Sequence, residues 1–120
     1  MIYEEDKEGT CLDYIVAIDA LKKPDPQYST KLMLRELNKA CIGFRHFQEV
    51  PTIATGNWGC GVFGGDCQLK FILQWMAASL NNRQLHYCAY ESRSLDELPT
   101  LMERVRHLKV SELMKLLLPF

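Results

Sequence analysis

Five of the seven glycines in this 120-residue chain fall between Gly56 and Gly65. That clustering constrains the fold more than any other feature. The stretch runs Thr52-Ile-Ala-Thr-Gly-Asn-Trp-Gly-Cys-Gly-Val-Phe-Gly-Gly-Asp66. Glycine loses more backbone freedom on folding than any other residue, so a domain keeps such density where the main chain takes φ > 0 or lies directly against a ligand. Thr52 to Thr55 reads as a short strand. Beyond the glycines, Asp66 is a good helix N-cap, and Leu69, Ile72, Leu73 and Met76 recur at helical spacing. Strand, glycine loop, helix is a common anion-binding arrangement, because free N–H groups and the helix dipole converge on one point. The competing reading is a tight connection that binds nothing.

The residues of the loop sort the candidate ligands. A Walker A loop needs Gly-Lys-Ser/Thr at the helix start; here Gly64-Gly65-Asp66 stands there, and a carboxylate repels a terminal phosphate. The dinucleotide fingerprint G-x-G-x-x-G is met by Gly59-Cys-Gly-Val-Phe-Gly64, with Glu91 placed to take ribose hydroxyls. Against it stand the 29 residues after Glu91, too few for the rest of a doubly wound domain, the bulk of Trp58 and Phe63, and the extension of the loop through Gly65-Asp66. Either way a diphosphate on backbone N–H groups is expected. Phe63 within the loop and Tyr90 at the end of the next strand are candidate stacking rings for a ribose or a base; packing in the core is the alternative for each. Trp58 reads as structural, closing the loop. Cys60, near a helix start, is a candidate for a lowered thiol pKa, although no histidine lies close in sequence to act as its base.

Around this centre the chain reads as alternating strands and helices. Residues 1–10 form an acidic, flexible terminus, and Glu4, Glu5, Asp6 and Glu8 read as a solvated run. Cys11 to Leu21, with Tyr-Ile-Val-Ala-Ile-Asp-Ala-Leu, predicts a strand buried on both faces. Asp19 near its end is either a ligand contact or a cap. Pro24 and Pro26 mark a loop. A helix is predicted from Tyr28 to Phe44, capped by Ser29 or Thr30, with Leu32, Met33, Leu37, Ala40, Cys41 and Phe44 inward, Arg35, Glu36 and Lys39 in water, and Gly43 near its end. After the helix of residues 67–80, Gln84 to Tyr90 predicts a second strand, parallel to the first in a βαβ unit. Ser94-Leu-Asp-Glu97 resembles a capping box, with Asp96 the competing N-cap, for a helix to about His107. Ser111 is expected to cap a last helix through Leu118, stopped by Pro119.

Composition excludes several classes. A net charge of −1 offers no basic field for nucleic acid. Leu113 to Phe120 is apolar but far short of the roughly 20 residues of a membrane span. The acidic start has neither the basic nor the apolar region of a signal peptide. Neither nucleic acid nor a membrane is therefore expected as a partner. Cys11, Cys41, Cys60, Cys67 and Cys88 make an odd count and read as free thiols in a reducing compartment. With no C-x-x-C and with His46, His86 and His107 far apart, no metal site is expected.

Ala54 to Asp66 closely resembles the signature loop of poly(ADP-ribose) glycohydrolases. Ile15-Val-Ala-Ile-Asp-Ala-Leu21, Arg35-Glu-Leu-Asn-Lys-Ala40 and Lys115-Leu-Leu-Leu118 resemble the C-terminal portion of that family, in the same order. The likeness covers about residues 10–118. It implies an α/β fold, a macrodomain-like mixed sheet flanked by helices and here only its C-terminal portion, within residues 11–120. It further implies a hydrolase acting on the ribose–ribose O-glycosidic bonds of poly(ADP-ribose), with no cofactor. The backbone of Gly59, Cys60, Gly61 and Val62 would hold the diphosphate, and Phe63 would pack near the terminal ribose. Tyr90, where the family usually has phenylalanine, would flank the nucleotide.

The chain departs from the family pattern in one respect. The catalytic signature of the family, a glycine-rich segment followed by Gln-Glu-Glu, has no counterpart here; Gln48-Glu49 is followed by Val50. The mechanism needs a glutamic acid to protonate the leaving oxygen. The expectation is a chain that binds poly(ADP-ribose) or ADP-ribose and does not cut it alone, its acid supplied by a missing N-terminal half of the same domain. A non-catalytic ADP-ribose-binding module, a truncated inactive product, an interaction protein and, more remotely, a Rossmann-type dinucleotide binder are the alternatives. Nucleus or cytoplasm is the expected location.

Overall fold

A helix pair and a two-stranded ladder carry the architecture. The computed structural model describes residues 15–22, 28–47, 49–60, 64–89 and 96–117. Its elements are α1 (Thr30–Phe44), β1 (Thr52–Thr55), α2 (Cys67–Leu80), β2 (Gln84–Tyr87), α3 (Leu98–Val105) and α4 (Val110–Leu117). The acidic run of residues 1–10, Cys11, Pro24, Pro26, Glu91, Ser94, Leu118 and Pro119 lie outside the described residues.

The sequence dictates α1 and α2 closely. Ser29 is the N-cap of α1, its hydroxyl accepting the Leu32 N–H at 3.2 Å. Asp66 caps α2 in the same way, through Leu69 N–H at 3.1 Å. Met33, Leu37, Ala40 and Phe44 bury one stripe of α1, and Leu69, Ile72, Leu73, Met76 and Ala77 do so on α2. The two helices share the core, and the small residues Ala40, Ala77 and Ala78 are fully buried in it. Gly43 lies near the end of α1, as expected, and Arg45 is the C-cap. The missing side chain of Gly43 makes room for Ile18, whose Cγ2 would stand 2.7 Å from a Cβ.

β1 and β2 pair in parallel, Thr52 opposite Gln84 and Thr55 opposite Tyr87. Ile53 and Leu85, opposite one another, pack against the core. β2 is shorter than the sequence predicted. Cys88 N–H still donates to Thr55 O at 2.8 Å, but β1 ends there, and the next acceptor, Ala89 O, takes its bond from the Asn57 side chain at 3.0 Å. Arg83, just before β2, donates to Val50 O, Phe44 O and His46 O at 2.9–3.0 Å, tying the last carbonyls of α1 to the ladder.

Three further expectations need correction. Residues 15–22 form no strand: among the described residues no strand pairs with them, and Ile15 is 68% exposed. The segment lies against α1 instead, held by side chains rather than by a ladder. α3 starts at Leu98 behind Glu97, with no side-chain cap, because Pro99 fits the first turn, where a missing N–H costs nothing. Ser111 does not cap α4 but lies inside it; in the first turn of the helix the Glu112 carboxylate reaches back to accept the Lys109 N–H at 2.8 Å. No helix among the described residues is long and apolar enough to cross a membrane.

Candidate functional site

β1 delivers the chain into the glycine loop, and α2 takes it away. A bond from Gly65 N–H to Gly59 O at 2.8 Å closes the neck between them. Gly59 and Gly64 both have φ of 72°, the left-handed conformation that glycine adopts without strain. Beneath the neck, Gln74 is fully buried; its amide donates to Gly56 O at 3.1 Å and its carbonyl accepts the Thr55 hydroxyl at 2.7 Å. Asn57, on the loop, accepts the Tyr87 hydroxyl at 2.8 Å. The Tyr87 ring in turn meets Phe71 edge to face, 4.9 Å between centroids. The start of the loop is thus fixed to α2 and to β2 by side chains of both.

Of the residues expected at the site, Gly59 and Cys60 are placed at this neck. Gly61, Val62, Phe63 and Tyr90 lie outside the described residues. The lowered thiol pKa considered for Cys60 is not found: burial first, then hydrogen bonding with Cys67, pushes the Cys60 thiol up to about 12. Cys60 is neutral at physiological pH, unsuited to nucleophilic attack but harmless to a bound anion. Among the described residues, no group of three His, Cys, Asp or Glu side chains is placed to hold a metal ion.

Trp58 has the structural role its position suggested. Its indole N–H donates to Ile18 O at 3.0 Å, and its ring lies 4.8 Å from Lys70 Nζ. Asp19 faces α1. Its carboxylate pairs with Lys39 at 2.7 Å and with Arg35, both on α1, and these two partners hold its pKa below the ordinary carboxylate value.

Sequence reasoning missed two residues beside the neck. Glu36, expected in water, is 1% exposed, and so is Lys70. The two form an ion pair, and Glu36 also accepts from Arg35. Spacing carries the signal: Glu36 stands three after Met33 and four before Ala40, both on the buried stripe, and Lys70 sits between Leu69 and Phe71, both buried. A charge within an apolar stripe demands a buried partner.

Asp66 shapes the electrostatics at the helix start. Burial raises its carboxyl pKa, but hydrogen bonds from Tyr28 and from the Leu69 and Gln68 amides outweigh that and hold it below the ordinary value of 3.8. A depressed folded pKa contributes stability above the unfolded value, and that stability is lost as pH falls through the folded one. Asp66→Asn keeps the oxygen that caps Leu69 but loses the charge and the second oxygen, which accepts the Tyr28 hydroxyl, so it should lower stability at pH 7 by at least about 0.3–1 kcal/mol. Thermal melts from pH 7 down to pH 2 check this: the gap from wild type should close in acid, and a gap independent of pH would refute the assignment.

The comparison with known proteins decides the family. A family model described as "Poly (ADP-ribose) glycohydrolase (PARG), Macro domain fold" matches residues 2–97, most of the chain. The chain belongs to the poly(ADP-ribose) glycohydrolase family. The Arabidopsis thaliana protein named probable poly(ADP-ribose) glycohydrolase 2 is 32% identical over 152 residues, covering 88% of this chain and 29% of the plant protein. Poly(ADP-ribose) glycohydrolase 1 of Caenorhabditis elegans is 36% identical over 118 residues, covering 88% of this chain and 15% of the nematode protein. A shorter match, 68% identical over 31 residues, joins 26% of this chain to 6% of poly(ADP-ribose) glycohydrolase 1 of Arabidopsis thaliana. The chain therefore spans less than a third of the length of these glycohydrolases. The sequence resemblance to this family and the α/β class both hold, and in this chain the parallel β1–α2–β2 unit carries the glycine loop.

Proposed function

We propose that the glycine loop, through the backbone of Gly59 to Val62, holds the diphosphate of an ADP-ribose unit, with poly(ADP-ribose) or free ADP-ribose as the partner of this chain. The observation that carries the reading is the neck: Gly65 N–H on Gly59 O closes the loop at the C-terminal end of a parallel strand and in front of a capped helix. That is where α/β folds gather anions. One local feature suits an anion there: the Cys60 thiol carries no charge at neutral pH. Phe63 and Tyr90 are proposed to flank the ribose and the base.

Glycosidic cleavage by this family needs a glutamic acid to protonate the leaving oxygen. These 120 residues contain no Gln-Glu-Glu, so on their own they should bind without cutting, the acid coming from residues outside this stretch. A reducing compartment, nucleus or cytoplasm, is the proposed setting and suits the free thiols Cys41, Cys60, Cys67 and Cys88.

Calorimetric titration of the chain with ADP-ribose, alongside an assay for ADP-ribose released from the polymer, tests both halves. Saturable heat without release is expected. Absence of heat would sink the binding assignment, and release by the pure chain would show that the acid lies within it.

A further inference from the structure

We propose that the buried Glu36–Lys70 pair is a bracket that sets the position of the loop neck, making both residues positioning residues for the ligand; this rests on the ADP-ribose reading of the loop.

Glu36 faces two directions at once. Its Oε1 accepts the Leu21 N–H at 3.0 Å, and its Oε2 accepts from Lys70. One side chain of α1 therefore joins the segment through Ile18–Leu21 to α2. The loop neck sits between those two walls. A Cβ on Gly59 would stand 2.7 Å from Ala20 Cβ on one side, and 3.5 and 3.6 Å from Lys70 Cε and Nζ on the other. Trp58 spans the same gap, bonded to Ile18 O and stacked with Lys70. Gly65 completes the contact, its Cβ position 3.0 Å from Lys70 Cε. The distance between the walls fixes where Gly59 and Gly65 lie, and Glu36 fixes the distance between the walls. Asp19 steadies the outer wall from the solvent side through Arg35 and Lys39.

Stability alone does not call for this arrangement. A well-packed apolar pair usually serves a core as well as a buried ion pair does, or better. An apolar pair would fill the same volume but would release the Leu21 amide and let the outer wall drift from α2.

The test compares wild type, the double variant Glu36→Leu/Lys70→Met and the single variant Glu36→Gln, each in the full chain. Thermal melts and calorimetric titration with ADP-ribose are run together. The double variant is expected to melt close to wild type and to bind about ten- to a hundredfold more weakly, the range seen when an outer-layer partner is lost from a preorganised site. Glu36→Gln keeps the acceptor for Leu21 and the volume, and should show a smaller loss of the same sign. A double variant that keeps both melting temperature and affinity would show that the pair only fills the core, and would overturn the proposal. If the double variant does not melt cooperatively, Glu36→Gln decides: weakened binding supports the bracket and unchanged binding overturns it. Wild type that gives no heat would overturn the ADP-ribose reading itself, and the bracket with it, whereas binding by wild type and both variants alike removes the bracket alone.

Discussion

Glu36→Leu on its own should remove about 3–5 kcal/mol of unfolding free energy, because it strands a buried ammonium. Among the described contacts, the Lys70 ammonium has the Glu36 carboxylate as its ion-pair partner, with the Trp58 ring 4.8 Å away. A domain of this size has a total stability of only about 5–15 kcal/mol, so the variant should lose roughly a fifth of it or more. Lys70→Met should cost less. The carboxylate it leaves behind keeps Arg35 and the Leu21 amide as partners. Urea denaturation of the two single variants measures the asymmetry. Equal losses would mean that the two charges are not held as described. Against the double replacement, the single change at Glu36 separates the cost of an orphaned charge from the role of the pair in the loop.

A methyl group at Gly65 should reduce affinity for ADP-ribose by about a hundredfold, the scale on which a misplacement near 1 Å acts in preorganised sites. The added Cβ would meet Gly59 O at 2.6 Å. That oxygen is backbone and accepts the Gly65 N–H itself, so relief requires the neck to open. Gly56→Ala is the matched control. Its Cβ would meet Cys88 O at 3.1 Å, a contact that a shift of a few tenths of an ångström relieves. Titration of both variants, with far-ultraviolet circular dichroism to confirm intact helices, reads the difference. Comparable affinities for Gly65→Ala and wild type would show that the neck is not part of the binding site.

Helices with clear caps and stripes were legible before any coordinates. Ser29 and Asp66 mark the starts of α1 and α2, and Leu69 to Met76 name the face that is buried. The βαβ unit was legible too, because two short apolar runs flank a helix of sufficient length to cross between parallel strands. Residues 15–22 misled. β-branched residues in a row signal a strand, yet a strand exists only where a neighbour completes its ladder, and that is a long-range fact. Glu36 misled for the opposite reason. Its chemistry says solvent, while its spacing from Met33 and Ala40 says interior, and the partner that resolves the conflict is 34 residues away. At the loop, glycine density foretold the left-handed turns at Gly59 and Gly64. It could not foretell that burial beside Cys67 would keep the Cys60 thiol protonated.

Among the described residues the parallel ladder has two strands, β1 and β2, too few to persist in water by themselves. Its survival is borrowed from α2, whose buried Gln74 grips the end of β1 and whose Phe71 backs Tyr87. Strand ends, loop neck and helix start therefore open and close as one cooperative unit. A ligand held at the neck is linked to that unit as a whole. On the proposed reading, ADP-ribose in the loop would raise the free energy needed to undock α2, in proportion to the logarithm of ligand concentration over its dissociation constant, and would so act as a stabiliser of the strands beneath it.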